Sequence, residues 1–101
     1  MKKRYDLIVI GAGTTGLKAL VHAYNNNKST AVIESDSVGG TCLNKGCIPT
    51  KYLIYGADII HEIAKAKYYG IKIKNVQFDY SSVIANEVDL VRNGSIQAEK
   101  N

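Results

Sequence analysis

Long hydrophobic runs are missing from this 101-residue sequence, which also has no tryptophan, a single proline and only two cysteines. The apolar run that follows the basic start extends only from Leu7 to Ile10. That is too short for the core of a signal peptide or for a membrane span. We therefore expect a cytoplasmic protein without a membrane partner.

A long block of positive charge is also missing, although the net charge is +4. The basic residues occur in separate groups at 2–4, 65–67 and 72–74. Nucleic-acid-binding surfaces usually gather such charge on one face, interleaved with aromatic residues. Dispersed charge is typical of a solvated surface, so we expect no nucleic-acid partner. With 46% hydrophobic and 22% charged residues, the chain is typical of one small globular domain.

The hydrophobic pattern of the first 34 residues predicts a strand, a helix and a second strand. The run Leu7–Ile10 is typical of a strand buried on both faces. One helical face is predicted from four residues at helical spacing: Leu17, Leu20, Val21 and Tyr24. The asparagines 25–27 end that helix, and Thr30–Ile33 forms the next strand. A short crossover of this kind predicts a parallel βαβ unit and an α/β fold.

Two further helices are predicted in the rest of the chain. Residues 35–49 read as a glycine-containing loop that holds both cysteines. A helix then runs from about Thr50 to Lys67, and Gly70 ends it. Its apolar residues at helical spacing are Leu53, Ala57, Ile60 and Ala64.

The segment after Gly70 predicts an extended stretch and a last helix. Residues 71–74 alternate between isoleucine and lysine, as in a short strand or an extended segment. Asp79 or Ser81 caps the last helix, for which the sequence suggests no clear tertiary partner. Its predicted buried residues are Ile84, Val88 and Val91.

A G-x-G-x-x-G pattern lies between the first strand and the first helix, the context that dinucleotide binding requires. Gly11 permits the tight turn, Gly13 allows a pyrophosphate to approach the backbone, and Gly16 lets helix and strand pack closely. The helix N-terminus then offers free N–H groups and a partial positive charge to the phosphates. The pattern does not distinguish FAD from NAD, and a purely structural glycine turn is the alternative.

Glu34 follows the second strand, 18 positions after Gly16. A carboxylate at this place can accept hydrogen bonds from ribose hydroxyls and would repel a 2′-phosphate. We therefore expect Glu34 to bind the adenosine ribose of a nucleotide that lacks this phosphate. The alternative is a surface glutamate.

Cys42 and Cys47 are close enough in sequence to form a small ring. Such a ring gains little loop-entropy stabilisation, so a disulfide here would be readily reduced. Disulfides in a reducing cytosol are more often catalytic than structural. A metal pair is the rival interpretation, but two cysteines supply half of a tetrahedral zinc site. His22 and His61 show no ligand spacing to them, so we expect no metal.

The segment from Gly39-Gly40-Thr41-Cys42 to Cys47-Ile48-Pro49-Thr50-Lys51 resembles the redox-active signature of the pyridine nucleotide–disulfide oxidoreductases. The resemblance covers most of residues 5–67. It implies the N-terminal portion of a Rossmann-like FAD-binding domain and FAD as the cofactor.

The resemblance also implies individual roles. Cys42 would exchange with the substrate, and Cys47 would lie beside the flavin as a thiolate. Thr41 and the diglycine Gly39-Gly40 would lie along the flavin dinucleotide. Lys51 would lie near the reactive edge of the flavin.

Within the family, Leu43-Asn44 and Ile48-Pro49 look most like the dihydrolipoamide dehydrogenases, which transfer electrons from a dithiol to NAD⁺. Lys45, Thr50 and Thr14-Thr15 depart from that pattern. Mercuric or glutathione reductase-like activity with NAD(P)H is the alternative within the family. A stand-alone nucleotide-binding module with idle cysteines is the alternative outside it.

Family members are several times longer than this chain. They carry an NAD(P)-binding domain and a dimerisation domain that residues 1–101 do not match. We expect the chain to be a partial FAD-binding domain of an enzyme that is a homodimer when full length. We expect it to be inactive alone, because two or three parallel strands leave open edges and a half-covered core.

Overall fold

The computed structural model describes residues 3–100, so the predicted domain limits at residues 1 and 101 lie outside the described part. The elements follow in the order β1 (Leu7–Ile10), α1 (Thr14–Asn25), β2 (Thr30–Ile33), α2 (Gly40–Lys45), α3 (Cys47–Lys65), a 3-10 turn (Ala66–Tyr69) and α4 (Tyr80–Lys100).

The first three elements form the predicted βαβ unit. Strands β1 and β2 are parallel neighbours, with Leu7 opposite Thr30 at one end and Ile10 opposite Ile33 at the other. Helix α1 is the crossover between the two strands. It ends at Asn25, at the run of asparagines that predicted its end. The α/β class and the parallel pairing are therefore confirmed.

The prediction that β1 is buried on both faces is wrong, because Ile8 and Ile10 are 55% and 84% exposed. On α1, Val21 and Tyr24 of the predicted apolar face are 59% and 76% exposed, whereas Ala23 is buried. Within residues 3–100 only one face of the two-stranded sheet carries a helix, so one set of strand residues stays exposed to solvent.

The prediction of a loop over residues 35–49 is also wrong. Thr41 and Cys42 lie within α2, and Cys47 is the first residue of α3. Pro49 suggested a loop end, but it occupies the first turn of α3, where a helix needs no N–H donor. Helix α3 therefore starts three residues before the predicted Thr50, and a 3-10 turn carries the chain to Gly70.

The last helix has the predicted cap and also a tertiary partner that the sequence did not reveal. The Asp79 carboxylate accepts hydrogen bonds from the Ser81 N–H (3.0 Å) and the Ser82 hydroxyl (2.6 Å). Helix α4 packs against α2 and α3. Ile84 and Val91 are half-buried as predicted, but Val88 is exposed. Residues 71–79 form no strand.

The described chain is elongated, with extents of 70 × 25 × 17 Å and a radius of gyration of 20.2 Å. A compact domain of about 100 residues has a radius of about 13 Å. Among residues 3–100 the buried apolar residues are Ala12 and Ala23. No helix in this range combines the length and the apolar composition needed to cross a membrane.

Candidate functional site

The glycine loop connects β1 tightly to α1. Gly11 has a φ of 97°, and its N–H donates to the Ile33 carbonyl at 2.7 Å. A Cβ on Gly16 would overlap the Gly11 carbonyl and lie 3.1 Å from Val9 Cγ1. The helix can therefore start directly beside the strand only because Gly16 has no side chain, as the sequence predicted.

Glu34 is hydrogen-bonded to this loop. Its Oε2 accepts the Ala12 N–H at 2.7 Å, and its Oε1 accepts the N–H groups of Ser35 (2.8 Å) and Asp36 (3.0 Å). These bonds, the one from Ala12 first, lower the pKa of Glu34 below its usual value. The carboxylate is therefore ionised at neutral pH and aligned with the glycine loop. A carboxylate has about four acceptor positions, so room remains for a further donor.

The diglycine Gly39-Gly40 connects the cysteine segment, residues 39–51, to the glycine loop. The Gly39 N–H donates to the Ala12 carbonyl at 2.8 Å. A Cβ on Gly40 would lie 2.8 Å from Gly13 Cα, so the two backbones touch at this point. The structure thus brings together two motifs that lie more than 20 positions apart in sequence.

A small cavity of about 140 Å³ lies next to this junction. Its lining includes Glu34, Gly40 and Thr41. Three residues that the sequence singled out separately therefore share one concave surface.

The two cysteines lie on successive helices, with only Gly46 between the helices. Both are thiols, and Cys42 is half-buried whereas Cys47 is exposed. The neighbouring Cys47 side chain, as a hydrogen-bond partner, is the main reason that the pKa of Cys42 is raised, followed by desolvation. A raised pKa favours the protonated form of a thiol. Lys51, one helical turn after Cys47, acts in the opposite direction on the pKa of Cys42.

An open, mainly apolar groove of about 470 Å³ borders Cys42 but not Cys47. Helix α1 forms one wall of the groove, and the two helices that carry the cysteines, α2 and α3, contribute to the other. The lining residues include Leu17, Val21, Leu43 and Ile48. The exposed face of α1 therefore lines a groove beside the half-buried thiol.

Sequence reasoning missed two residues that hold this region in place. The side-chain amide of Asn44 donates to the carbonyls of Val38 (3.2 Å) and Gly40 (3.0 Å). The hydroxyl of Ser95, on α4, donates to the Val38 carbonyl at 2.8 Å. Asn44 lies inside the cysteine motif and could have been noticed there. Ser95 carries no sequence signal, because it contacts a segment 57 positions away.

Neither histidine lies at the site. His22 and His61 are exposed on α1 and α3. In the part of the chain that the structure describes, no group of three or more His, Cys, Asp or Glu side chains could hold a metal ion.

Comparison with known proteins agrees with this geometry. Residues 5–100 match the family model described as pyridine nucleotide-disulphide oxidoreductase. A dihydrolipoyl dehydrogenase of Chlamydia pneumoniae is 40% identical over 92 residues, which are 91% of this chain and 20% of that protein. One of Bacillus subtilis is 36% identical over 83 residues (82% and 18%).

A dihydrolipoyl dehydrogenase of Haloferax volcanii is 50% identical over 66 residues, or 65% of this chain and 14% of that protein. The chain thus spans about a fifth of the length of the curated relatives it matches. The family match extends from β1 through α4 and includes both the glycine loop and the cysteine pair. The chain belongs to the pyridine nucleotide-disulphide oxidoreductase family.

Proposed function

We propose that this chain is the dinucleotide- and thiol-bearing part of an FAD-dependent disulfide oxidoreductase of the dihydrolipoyl dehydrogenase type. The observation that carries the proposal is the pair of thiols Cys42 and Cys47, which lie on two helices separated only by Gly46. The diglycine just before the cysteines contacts the glycine loop. Gly39 is hydrogen-bonded to Ala12, and the backbone of Gly40 touches that of Gly13. Redox thiols and a dinucleotide-binding turn are thus parts of one site.

The residues present fit FAD. No side chain among residues 3–100 caps the start of α1, so its first N–H groups are available to a pyrophosphate. Gly11, Gly13 and Gly16 would hold the pyrophosphate, and Glu34 would accept the ribose hydroxyls. The cavity next to Glu34 extends to Gly40 and Thr41, which would contact the same dinucleotide.

When bound, the flavin would exchange two electrons between the thiols and a nicotinamide nucleotide. The nicotinamide would bind to a part of the protein outside this chain. Lys51 would add positive charge near the thiols and the flavin. Gly39 would contribute by holding the cysteine segment against the glycine loop.

The thiol step follows from ordinary exchange chemistry. In the oxidised pair, a substrate thiolate attacks Sγ of Cys42, the Cys42–Cys47 bond breaks, and Cys47 leaves as a thiolate. The second substrate thiol then attacks the substrate sulfur bound to Cys42, the bond between that sulfur and Cys42 breaks, and Cys42 leaves as a thiolate that takes up a proton. The substrate becomes a disulfide, and the two cysteines receive its two electrons.

The different roles proposed for the two sulfurs agree with their different surroundings. The neighbouring Cys47 side chain and desolvation raise the pKa of Cys42, which favours its protonated form. The groove large enough for a small substrate borders Cys42. This groove supports Cys42 as the exchanging sulfur, and the family resemblance supports Cys47 as the sulfur that would face the flavin.

We propose a dihydrolipoamide-like dithiol as the substrate and NAD⁺ as the acceptor, in a cytoplasmic homodimer. The names of the relatives support the substrate. Glu34 can select only the nucleotide that binds at this glycine loop, and the acceptor would bind elsewhere. The choice of NAD⁺ as acceptor therefore follows from the family.

The test is the visible spectrum of the full-length protein that carries this sequence, before and after two-electron reduction. We expect an oxidised flavin spectrum and, on reduction, a long-wavelength band from a Cys47 thiolate against the flavin. Cys47→Ser should keep the flavin and lose that band. A stand-alone nucleotide-binding module would show no effect of Cys47→Ser on its redox behaviour. A protein that cannot be reconstituted with FAD would overturn the proposal.

The substrate is tested separately, by comparing turnover with dihydrolipoamide and NAD⁺, with glutathione disulfide and NAD(P)H, and with mercuric ion and NAD(P)H. Preference for dihydrolipoamide is expected. Preference for glutathione disulfide or mercuric ion would leave the proposed flavin chemistry intact and would overturn the proposed substrate.

A further inference from the structure

The carbonyl of Val38 is a junction between the cysteine segment and α4. It accepts the Ser95 hydroxyl at 2.8 Å and the Asn44 side-chain amide at 3.2 Å. Ser95 is 8% exposed and is the one buried polar residue of the described chain. Its hydrogen bond is partly buried, and it joins segments 57 positions apart.

A second contact joins α4 to α2 itself. A Cβ on Gly94 would lie 2.9 Å from Leu43 Cδ1, so Leu43 packs directly against the α4 backbone. Leu43 is the residue after Cys42. Helix α4 therefore contacts this segment at two points, a polar one at Val38 just before α2 and an apolar one at Leu43 on α2.

Helix α2 depends on such contacts for its position. It has six residues, which is too short for stability on its own. Cys42 is on α2 and Cys47 is on α3, so the approach of their sulfurs depends on how the two helices sit relative to each other. Helix α4 packs against both of them and can fix that relation.

We propose that Ser95 is a positioning residue for the Cys42–Cys47 pair, acting through the Val38 carbonyl. The role rests on the proposed function, because it concerns the exchange chemistry of that pair. Ser95 itself touches neither sulfur. It fixes the start of α2 and thereby favours disulfide formation between the two cysteines.

The test measures the thiol–disulfide equilibrium of the pair in the full-length protein, with glutathione and glutathione disulfide as the redox buffer. In this reaction the two cysteine thiols form one disulfide, and glutathione disulfide becomes two glutathione thiols. Acid quenching, alkylation of the remaining thiols and mass spectrometry give the oxidised fraction. The readout does not depend on flavin turnover.

We expect Ser95→Ala to lower the equilibrium constant for disulfide formation by up to about fivefold, the factor reached if the disulfide form depends on one ordinary hydrogen bond that the thiol form does not need. Ser95→Thr keeps the hydroxyl and should restore most of the effect. Ser81→Ala, an exposed serine-to-alanine change on the same helix, should match the wild type. A folded Ser95→Ala protein with the wild-type constant would overturn the inference, as would Ser95→Thr behaving like Ser95→Ala.

Gly94→Ala decides the question if Ser95→Ala does not fold. Alanine is the better helix former, yet its methyl group would push on Leu43. A lowered equilibrium constant supports positioning by α4, and an unchanged one overturns it. The wild type separates the two proposals: if its cysteines form no disulfide in any glutathione buffer, the proposed function fails. If they do and Ser95→Ala has no effect, only this inference fails.

Discussion

At the scale of single residues, the two thiols differ in what surrounds them although they lie five positions apart. Cys42 is half-buried, and the neighbouring Cys47 side chain together with desolvation raises the pKa of Cys42. The ammonium of Lys51 attracts a Cys42 thiolate and therefore lowers the same pKa. The pH at which Cys42 becomes reactive is set by the balance of these effects.

Replacing Lys51 by methionine should move that pH upward. Without the cation the pKa of Cys42 rises further, a smaller fraction is thiolate at a given pH, and the thiolate is the reactive form. We expect alkylation of Cys42 by iodoacetamide to slow by about two- to threefold at pH 8, the scale of a partly screened surface charge. The measurement is the pH profile of site-resolved alkylation in the reduced full-length protein.

Lys51→Arg is the matched control and should retain the wild-type profile, because the positive charge is kept. Identical profiles for Lys51→Met and the wild type would contradict the assigned role of the lysine.

Glu34 illustrates how far a single position can be predicted. Its place at the end of β2 predicted a carboxylate near a ribose, and that role remains a prediction. The structure adds that the same carboxylate binds the Ala12 N–H. The sequence could not reveal this bond, because it depends on the path of the glycine loop after β1.

At the scale of helices and strands, glycines inside helices have different functions depending on what lies next to them. Gly16 on α1 faces the Gly11 carbonyl and Val9 on the neighbouring strand. Gly56 on α3 has open space where a Cβ would be. Both lie within regular helix, so helix propensity alone would favour alanine at each position.

We predict opposite outcomes for Gly16→Ala and Gly56→Ala. The first should destabilise the protein by about 1–3 kcal/mol or more, because the methyl group overlaps backbone that cannot move easily. The second should stabilise it by up to about 1 kcal/mol. The melting temperature and the bound FAD of the full-length protein provide the measurement. A neutral Gly16→Ala would contradict the close contact between α1 and β1.

The elements themselves were predictable to different degrees. The βαβ unit follows from runs that are apolar or periodic over several residues, and both strands lie where predicted. The cysteine helices were missed because glycines and Pro49 favour a loop locally. Contacts of Gly39 with the glycine loop and of Ser95 with Val38 stabilise helical structure there. Such contacts join residues far apart in sequence, so a local pattern cannot reveal them.

At the scale of the whole molecule, the described residues do not enclose a core. Many large apolar side chains are exposed, including Ile10, Tyr24, Ile54, Tyr55 and Leu90. The radius of gyration of 20.2 Å is far above the value of about 13 Å for a compact domain of this size. The hydrophobic stabilisation available to the isolated chain is correspondingly small.

We predict that the isolated 101-residue chain unfolds without a cooperative transition and binds the dye ANS, which reports exposed apolar surface. It should show no disulfide oxidoreductase turnover with dihydrolipoamide and NAD⁺. Circular dichroism during urea unfolding, dye fluorescence and a turnover assay provide the measurements, with the full-length protein as the control. A sharp unfolding transition or measurable turnover would show that the chain is self-sufficient.

The sequence by itself determined the parallel βαβ unit, the glycine turn and the family resemblance of the cysteine segment. Each of these depends on neighbouring residues or on a fixed short spacing. Only the tertiary structure decided that the cysteines lie on two helices, that Glu34 accepts a hydrogen bond from Ala12, and that Ser95 donates one to Val38. These features depend on contacts between segments distant in sequence, and such contacts exist only once the helices have packed against the sheet and against one another.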